Sequence, residues 1–395
     1  MESSEMTQEV CRAIDAVAPL LIGLSTEIHK APELSFEEHR AVRLICETMS
    51  EAGFKIEEGI AGLKTAFRAT HPAQSPGPTI AFLSEYDALP GVGHACGHNI
   101  IAATAVGAAL AVGKIKERLP GTLQLIGCPA EERYGGKIIM AEKGVFNGID
   151  VAMMIHPEAK NSGTPKHLTL VPLEISFEGK SSHASAAPEQ GINALSAVIQ
   201  TFNSLNALRE HLSSDASIHG IITKGGERTN IVPEFAQCHF SIRSTNIAHR
   251  NELEEKVKNC ARGAALAMGC KVNFSYFDRV YDPMRINASL DRTFLRNLGF
   301  LGANVTTEVE QARGSTDAAN VSQLVPLLHA SVAITSEGIK LHTKEFAEAA
   351  SSETGMQAMI RAAKALSMTA VDVFASENLF NQIKEDFLKA RENKS

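Results

Sequence analysis

The sequence predicts an α/β protein: a mostly parallel-sheet domain with helices on both faces, carrying an inserted ferredoxin-like βαββαβ domain. Three observations predict it. In the first half, strand-like apolar runs alternate with helical periodicity, which implies a parallel sheet covered on both sides. Near Leu168 the pattern changes to strands whose apolar and polar residues alternate singly, the mark of a sheet with one exposed face. The length, 395 residues, also exceeds what one compact core usually holds.

The elements follow in order. Residues around 7–30 and 36–52 have helical periodicity, and TAFRAT and PTIAFLSEY read as extended, the second as a strong strand. A long helix runs from about Asn99 to Leu119 and stops at Pro120, which cannot continue it. GTLQLIGCPA is a strand, KIIMAEKGV a helix and VAMMIHP a strand. In PLEISFEG, Leu173, Ile175 and Phe177 alternate with Glu174, Ser176 and Glu178. A helix (GINALSAVIQTFNSLNALREHL), a strand (SIHGIITK), the turn GGERTNIVP and the alternating strand FAQCHFSIRS come next. The helix IAHRNELEEKVKNCARGAALAMG and the strand KVNFSYF complete a βαββαβ order. We expect this inserted domain at 172–284. A discontinuous domain over 1–171 and 285–395 holds the remainder, including the strand in LLHASVAIT.

Hydrophobic content of 44% and charged content of 21% are those of an ordinary globular protein. A net charge of −7 without a long Lys or Arg run argues against a nucleic-acid or membrane partner. The apolar run Ile100 to Val112 is too short to span a bilayer. MESSEMTQEV lacks the basic start and apolar core of a secretory signal. Seven scattered cysteines do not make a disulfide framework, so a reduced, cytoplasmic protein is expected. Cys96 differs from the other six because glycine and histidine surround it.

Ligand-type residues gather at strand ends. IAFLSEYD ends at Glu85 and Asp87, LQLIGCPAEE at Glu131 and Glu132, and VAMMIHP near His156. In open α/β sheets the C-terminal ends of strands line the site, so residues distant in sequence can converge there. GVGHACGHN adds Cys96 and His98, soft ligands for a metal such as zinc. Their spacing of two does not place them on one helical face, so a loop or a first helical turn must present them together. Glu131 and Glu132, if extended, point to opposite sides, one toward a metal and one toward a water.

Together these segments resemble the M20 metallopeptidase and amidohydrolase family, which contains aminoacylases, glutamate carboxypeptidases and auxin-conjugate hydrolases. The resemblance is carried by EYDALPGVGHACGHN, PAEERYGGK, MMIHPE, GKSSHASAAPEQGINAL, GGERTNIVPE, GSTDAANVS and LHTKEF, in family order across most of the chain. EYDALPGVGHACGHN and GSTD look closest to a dipeptidase-like branch, the peptidase M20 domain-containing protein 2 group, which includes aminobenzoyl-glutamate hydrolase relatives.

The resemblance implies two divalent metal ions per chain. Cys96 matches the bridging ligand, His98 and His156 complete one metal site, and Glu132 and His342 serve the other. Zinc fits the thiolate best, with manganese or cobalt as alternatives. Glu131 matches the general base and Asp87 an acid that supports the ligands. His183 matches a lid histidine that reaches the other protomer's site and stabilises the oxyanion. Asn230 and Arg243 match residues that grip a substrate carboxylate, and Gly314 and Ser315 a substrate-facing loop. The activity implied is hydrolysis of the amide bond of a dipeptide or N-acyl amino acid with a free carboxylate, in a homodimer joined through the inserted domain. Carbamoyl or aminobenzoyl-glutamate substrates are the alternative, and a non-catalytic binding protein of the same fold is a third reading. Glu85 and Asn99 stand where many auxin-type relatives carry Asp, which points away from auxin conjugates.

Overall fold

The computed structural model describes residues 2–309, 311 and 314–392. In chain order the first elements are α1 (Glu2–Lys30), α2 (His39–Glu51), β1 (Lys55–Glu58), β2 (Phe67–His71), β3 (Thr79–Glu85), α3 (His98–Lys114), β4 (Thr122–Cys128), α4 (Gly136–Glu142) and β5 (Val151–Glu158). Next come β6 (Val171–Glu178), α5 (Ala194–Arg209), β7 (Ser217–Lys224), β8 (Phe235–Arg243), α6 (Ile247–Met268) and β9 (Lys271–Tyr276). The last are α7 (Ala288–Phe300), α8 (Ala318–Ser322), β10 (Leu327–Ala333), α9 (Lys344–Ala349), α10 (Glu353–Ala375) and α11 (Glu377–Glu392).

The chain divides into two compact units. One holds the described residues up to Lys166, those from Met284 to Gln311, and those from Thr316 onward; the other holds His167–Pro283 with Gly314 and Ser315.

The larger unit is built on a six-stranded sheet of order β1-β2-β4-β3-β5-β10. β4, β3, β5 and β10 are mutually parallel, whereas β1 and β2 add an antiparallel edge. β1 was not legible: KIEE is polar and short, and its burial is that of an exposed edge. β3 shows why helices cover both faces. Ile80 and Phe82 join one apolar cluster, and Ala81 and Leu83 join a second on the opposite face. The apolar helix α3 is buried on nearly every side, as a helix without a polar stripe must be. It ends five residues before the expected Leu119. The buried Lys116 ammonium donates to the carbonyls of Leu119 (2.9 Å) and Gly121 (2.6 Å), fixing a 3₁₀ turn there.

The smaller unit is a four-stranded antiparallel sheet of order β7-β8-β6-β9 with α5 and α6 on one face. Leu173, Ile175 and Phe177 of β6 and Cys238, Phe240 and Ile242 of β8 point into its core, as their alternation predicts. The connectivity βαββαβ is that of the ferredoxin-like sandwich. The side chains of Asn193 and Asn246 accept hydrogen bonds from the first turns of α5 and α6, and Gly269 closes α6 in a left-handed conformation. Among the described residues, no helix is long and apolar enough to cross a membrane.

Candidate metal centre and its family

Strand ends and loops of the larger unit bring the chemistry together. His98 opens α3, Cys96 lies in the turn before it, and Gly97 between them has φ 73°. A Cβ on Gly97 would come within 2.8 Å of Pro157, so only glycine allows this turn on both counts. The two side chains, two residues apart, are thus presented by a turn rather than by a helical face. His156 comes from β5, Glu131 and Glu132 from the turn after β4, and His342 from the loop before α9.

Ligand atoms of Cys96, His98 and His156 lie within 4.8 Å of one another, as do those of Cys96, Glu132 and His342. Cys96 is common to both groups. His98 Nε2 stands 3.8 Å from Glu132 Oε1, and His342 Nε2 stands 3.8 Å from Glu132 Oε2. The donor set suits a soft or borderline divalent ion. Two of its atoms, His98 Nε2 and Glu132 Oε1, are buried with no hydrogen-bond partner, an arrangement costly without a further ligand. The residues therefore fit a two-ion centre.

Asp87 contacts two members of this cluster, His98 and Glu132. Its Oδ1 lies 2.9 Å from His98 Nδ1, and its Oδ2 accepts from the Glu132 N–H at 3.0 Å and the Ser35 hydroxyl at 3.0 Å. A carboxylate on one ring nitrogen fixes the tautomer and leaves the lone pair of Nε2 free to ligate a metal. Burial works against ionisation of Asp87, but the His98 hydrogen bond and charge together outweigh it and hold its carboxyl below the usual range.

Glu131 and Glu132 do not lie in an extended segment. Residues 131–134 form a turn, and Ala130 before them has φ 60°. The expected divergence of the two carboxylates is therefore replaced by a geometry in which both approach His98 within 4.8 Å. Glu131 also faces Glu85 and Asp317. Burial first, then the charges of Glu85, Asp317 and Glu132, push its carboxyl well above the usual range.

Glu85, Glu131 and Asp317 also meet within 4.8 Å, but this is not another ion site. The fully buried Lys137 ammonium sits between two of them, 2.5 Å from Glu85 Oε1 and 2.6 Å from Asp317 Oδ1. Asp317 also accepts from the Lys137 N–H at 2.8 Å. Sequence reasoning missed Lys137, because one lysine in KIIMAEKGV reads as a solvated helix residue. His329 was missed as well: it lies on β10, buried, with its ring stacked on His156 at 5.7 Å. Asn99 donates to Ser25 Oγ and to the Ala350 carbonyl, a structural role.

The remaining candidates lie in the smaller unit. Arg243 Nη1 donates to Ser315 Oγ at 2.6 Å, and Gly314 accepts from the Leu168 N–H. The exposed His183 accepts at Nδ1 from the Ala186 N–H at 3.2 Å, and Asn230 is exposed with its carbonyl bonded to the Ala184 N–H.

Comparison with known proteins agrees with this chemistry. Residues 167–268 match the family model described as a peptidase dimerisation domain. The chain is 36% identical to the Xaa-Arg dipeptidase of Homo sapiens over 96% of its own length and 91% of that protein's. It is 32% identical to a p-aminobenzoyl-glutamate hydrolase polypeptide of Escherichia coli over 75% of this chain and 66% of that one. Its fold resembles that of a dinuclear metal-binding peptidase of the M20 family from Bacillus subtilis, with a TM-score of 0.70, 22% identity, and coverage of 91% and 99% of the two chains. The chain belongs to the M20 family of metallopeptidases and amidohydrolases, and it is a metal-dependent hydrolase of amide bonds.

Proposed function

We propose that this enzyme hydrolyses a dipeptide bearing a free C-terminal carboxylate, with Glu131 as general base. The observation that carries the proposal is the placing of Glu131 beside the ligand cluster, where burial and three neighbouring acids raise its affinity for a proton. A carboxyl whose affinity for a proton is raised is a better proton acceptor from water than an ordinary one. When bound, two divalent ions held by Cys96, His98, His156, Glu132 and His342 would supply a polarised water and a Lewis acid for the amide carbonyl. Zinc is the ion we favour from the thiol and imidazole donors, with manganese or cobalt as substitutes.

Glu131 takes the proton of the attacking water and returns it to the leaving amine. Asp87 holds His98 and the Glu132 backbone in place meanwhile. We assign oxyanion stabilisation to His183. Because its Nδ1 accepts a backbone N–H, the neutral ring carries its proton on Nε2, available to an oxyanion. Arg243, with Asn230, Gly314 and Ser315 in support, is our choice for the substrate carboxylate, since a guanidinium is a planar, permanently charged fork. We further propose a homodimer joined through the 172–284 domain, His183 serving the other protomer's site. The seven free cysteines suit a reducing compartment, and we place the enzyme in the cytoplasm.

The similarity to an Xaa-Arg dipeptidase over nearly the whole chain favours a basic C-terminal residue over aminobenzoyl-glutamate, whose hydrolase is matched over a shorter stretch. The test is amine release from Ala-Arg, Ala-Glu, N-acetyl amino acids and aminobenzoyl-glutamate, each with zinc, manganese or cobalt. Ala-Arg should be the best substrate. Preference for aminobenzoyl-glutamate, or for an N-carbamoyl amino acid added to the panel, would move the enzyme to the second reading.

A further inference from the structure

The sequence PELSFEE, residues 32–38, lies between α1 and α2 far from the ligands in sequence, yet most of it touches the segments that carry them. Glu33 O accepts from the Ala88 N–H at 2.8 Å, while its side chain accepts from the Arg40 and Ala41 N–H groups at the start of α2. Leu34 bridges Ala88 in parallel fashion, and Ser35 donates to Asp87. Phe36 stacks on Tyr134, ring centroids 5.7 Å apart and planes 18° from parallel. Glu38, fully buried, accepts the Ala130 N–H at 2.8 Å.

Those contacts meet the turn 130–134 where its backbone is least comfortable. Ala130 has φ 60° and Tyr134 φ 76°, left-handed conformations that cost a non-glycine residue on the order of 1 kcal/mol or more. Such conformations persist only where surroundings over-determine them. Glu38 holds the first, Phe36 covers the last, and Glu131 and Glu132 lie between.

We propose that residues 33–38 form a buckle that positions the Glu131–Glu132 turn for hydrolysis, with Glu38 as its positioning residue through the hydrogen bond to the Ala130 N–H. The inference rests on Glu131 acting as general base. Glu38 touches neither substrate nor ion; it acts through the placement of Glu131. Its acceptor oxygen, not its charge, does this, so glutamine suffices in its place.

The experiment compares Glu38→Gln, Glu38→Met and Glu131→Gln with the wild type on Ala-Arg, with metal content per chain measured by elemental analysis and folding by circular dichroism. Methionine keeps the shape and removes the acceptor. Glu38→Met is expected to lose about 100-fold in kcat at nearly unchanged KM, the scale of a misplaced catalytic group. Its metal content should equal that of the wild type, and Glu38→Gln should retain most of the wild-type kcat. A folded Glu38→Met enzyme with wild-type kcat overturns the inference, and so does a Glu38→Gln enzyme as slow as the methionine variant. If Glu38→Met does not fold, Phe36→Leu tests the other end of the buckle: a fall in kcat without loss of metal supports it, and wild-type kcat overturns it. An active Glu131→Gln enzyme would instead remove the general-base reading on which the inference stands.

Discussion

Lys137 carries a burden out of proportion to its place in the sequence. It neutralises Glu85 and Asp317, both wholly buried. Removing one partner of such a network leaves uncompensated charge in a low dielectric. Lys137→Met should therefore destabilise the protein by about 3–5 kcal/mol, read as a lower urea midpoint. An unchanged midpoint would mean that the acids simply take up protons. Asp291, which is not among the proposed ligands, gives a separate, pH-dependent test. Burial pushes its carboxyl up to about 6, although the Thr164 N–H and hydroxyl both donate to it. A group that holds its proton more tightly when folded stabilises the fold at low pH and loses that contribution as pH rises through the folded value. Asp291→Asn does not titrate, so its Tm should gain on the wild type between about pH 4 and about pH 7. A gap independent of pH would contradict the assignment. At this scale the sequence was most informative where residue chemistry is unusual, as at Cys96 and His98. It was silent at Lys137 and Glu38, whose burial depends on what distant elements bring to them.

At the scale of elements, the centre depends on how chain segments end. β3, β4 and β5 each lead into a carboxylate or histidine, so a parallel register is enough to gather Asp87, Glu131, Glu132 and His156. This much was legible, because strand ends can be read from apolar runs. The turn after β4 was not: the left-handed Ala130 has no sequence signature, unlike a glycine. Nor was His342, which sits at φ 65° just before the Thr343 cap of α9 and reads locally as a helix start. The turn before α3 offers the direct test. Gly97→Ala adds a Cβ 2.8 Å from Pro157 in a left-handed backbone. The variant should shift Cys96 and His98 apart and weaken zinc binding at least tenfold, a loss of about 1.4 kcal/mol or more, in competition with a chromophoric chelator. Wild-type affinity would show that the turn adapts.

For the molecule as a whole, the change from continuous apolar strands to single alternation marked the ferredoxin-like unit, and the structure has that βαββαβ order. A sheet buried on both faces and a sheet buried on one leave different patterns in sequence, which is why the fold class was readable. The edge strand β1 was lost because exposed edges carry little apolar signal. The proposed association of chains through the 172–284 domain is tested at this scale. If His183 serves the other protomer's centre, His183→Ala and Glu131→Gln chains, each nearly inactive alone, should recover turnover when mixed and refolded into heterodimers. No recovery in verified heterodimers would confine His183 to its own chain.

On the proposal made above, Glu131 moves the proton in amide hydrolysis at a two-metal centre whose ligands do not include it. The most direct test measures metal content and Ala-Arg turnover together for the wild type and Glu131→Gln. Metal content should be equal in both proteins, with turnover in the variant reduced by about 1,000-fold or more, on the scale of losing a general acid–base group. Equal turnover, or a glutamine variant that loses its metal along with its activity, would contradict it.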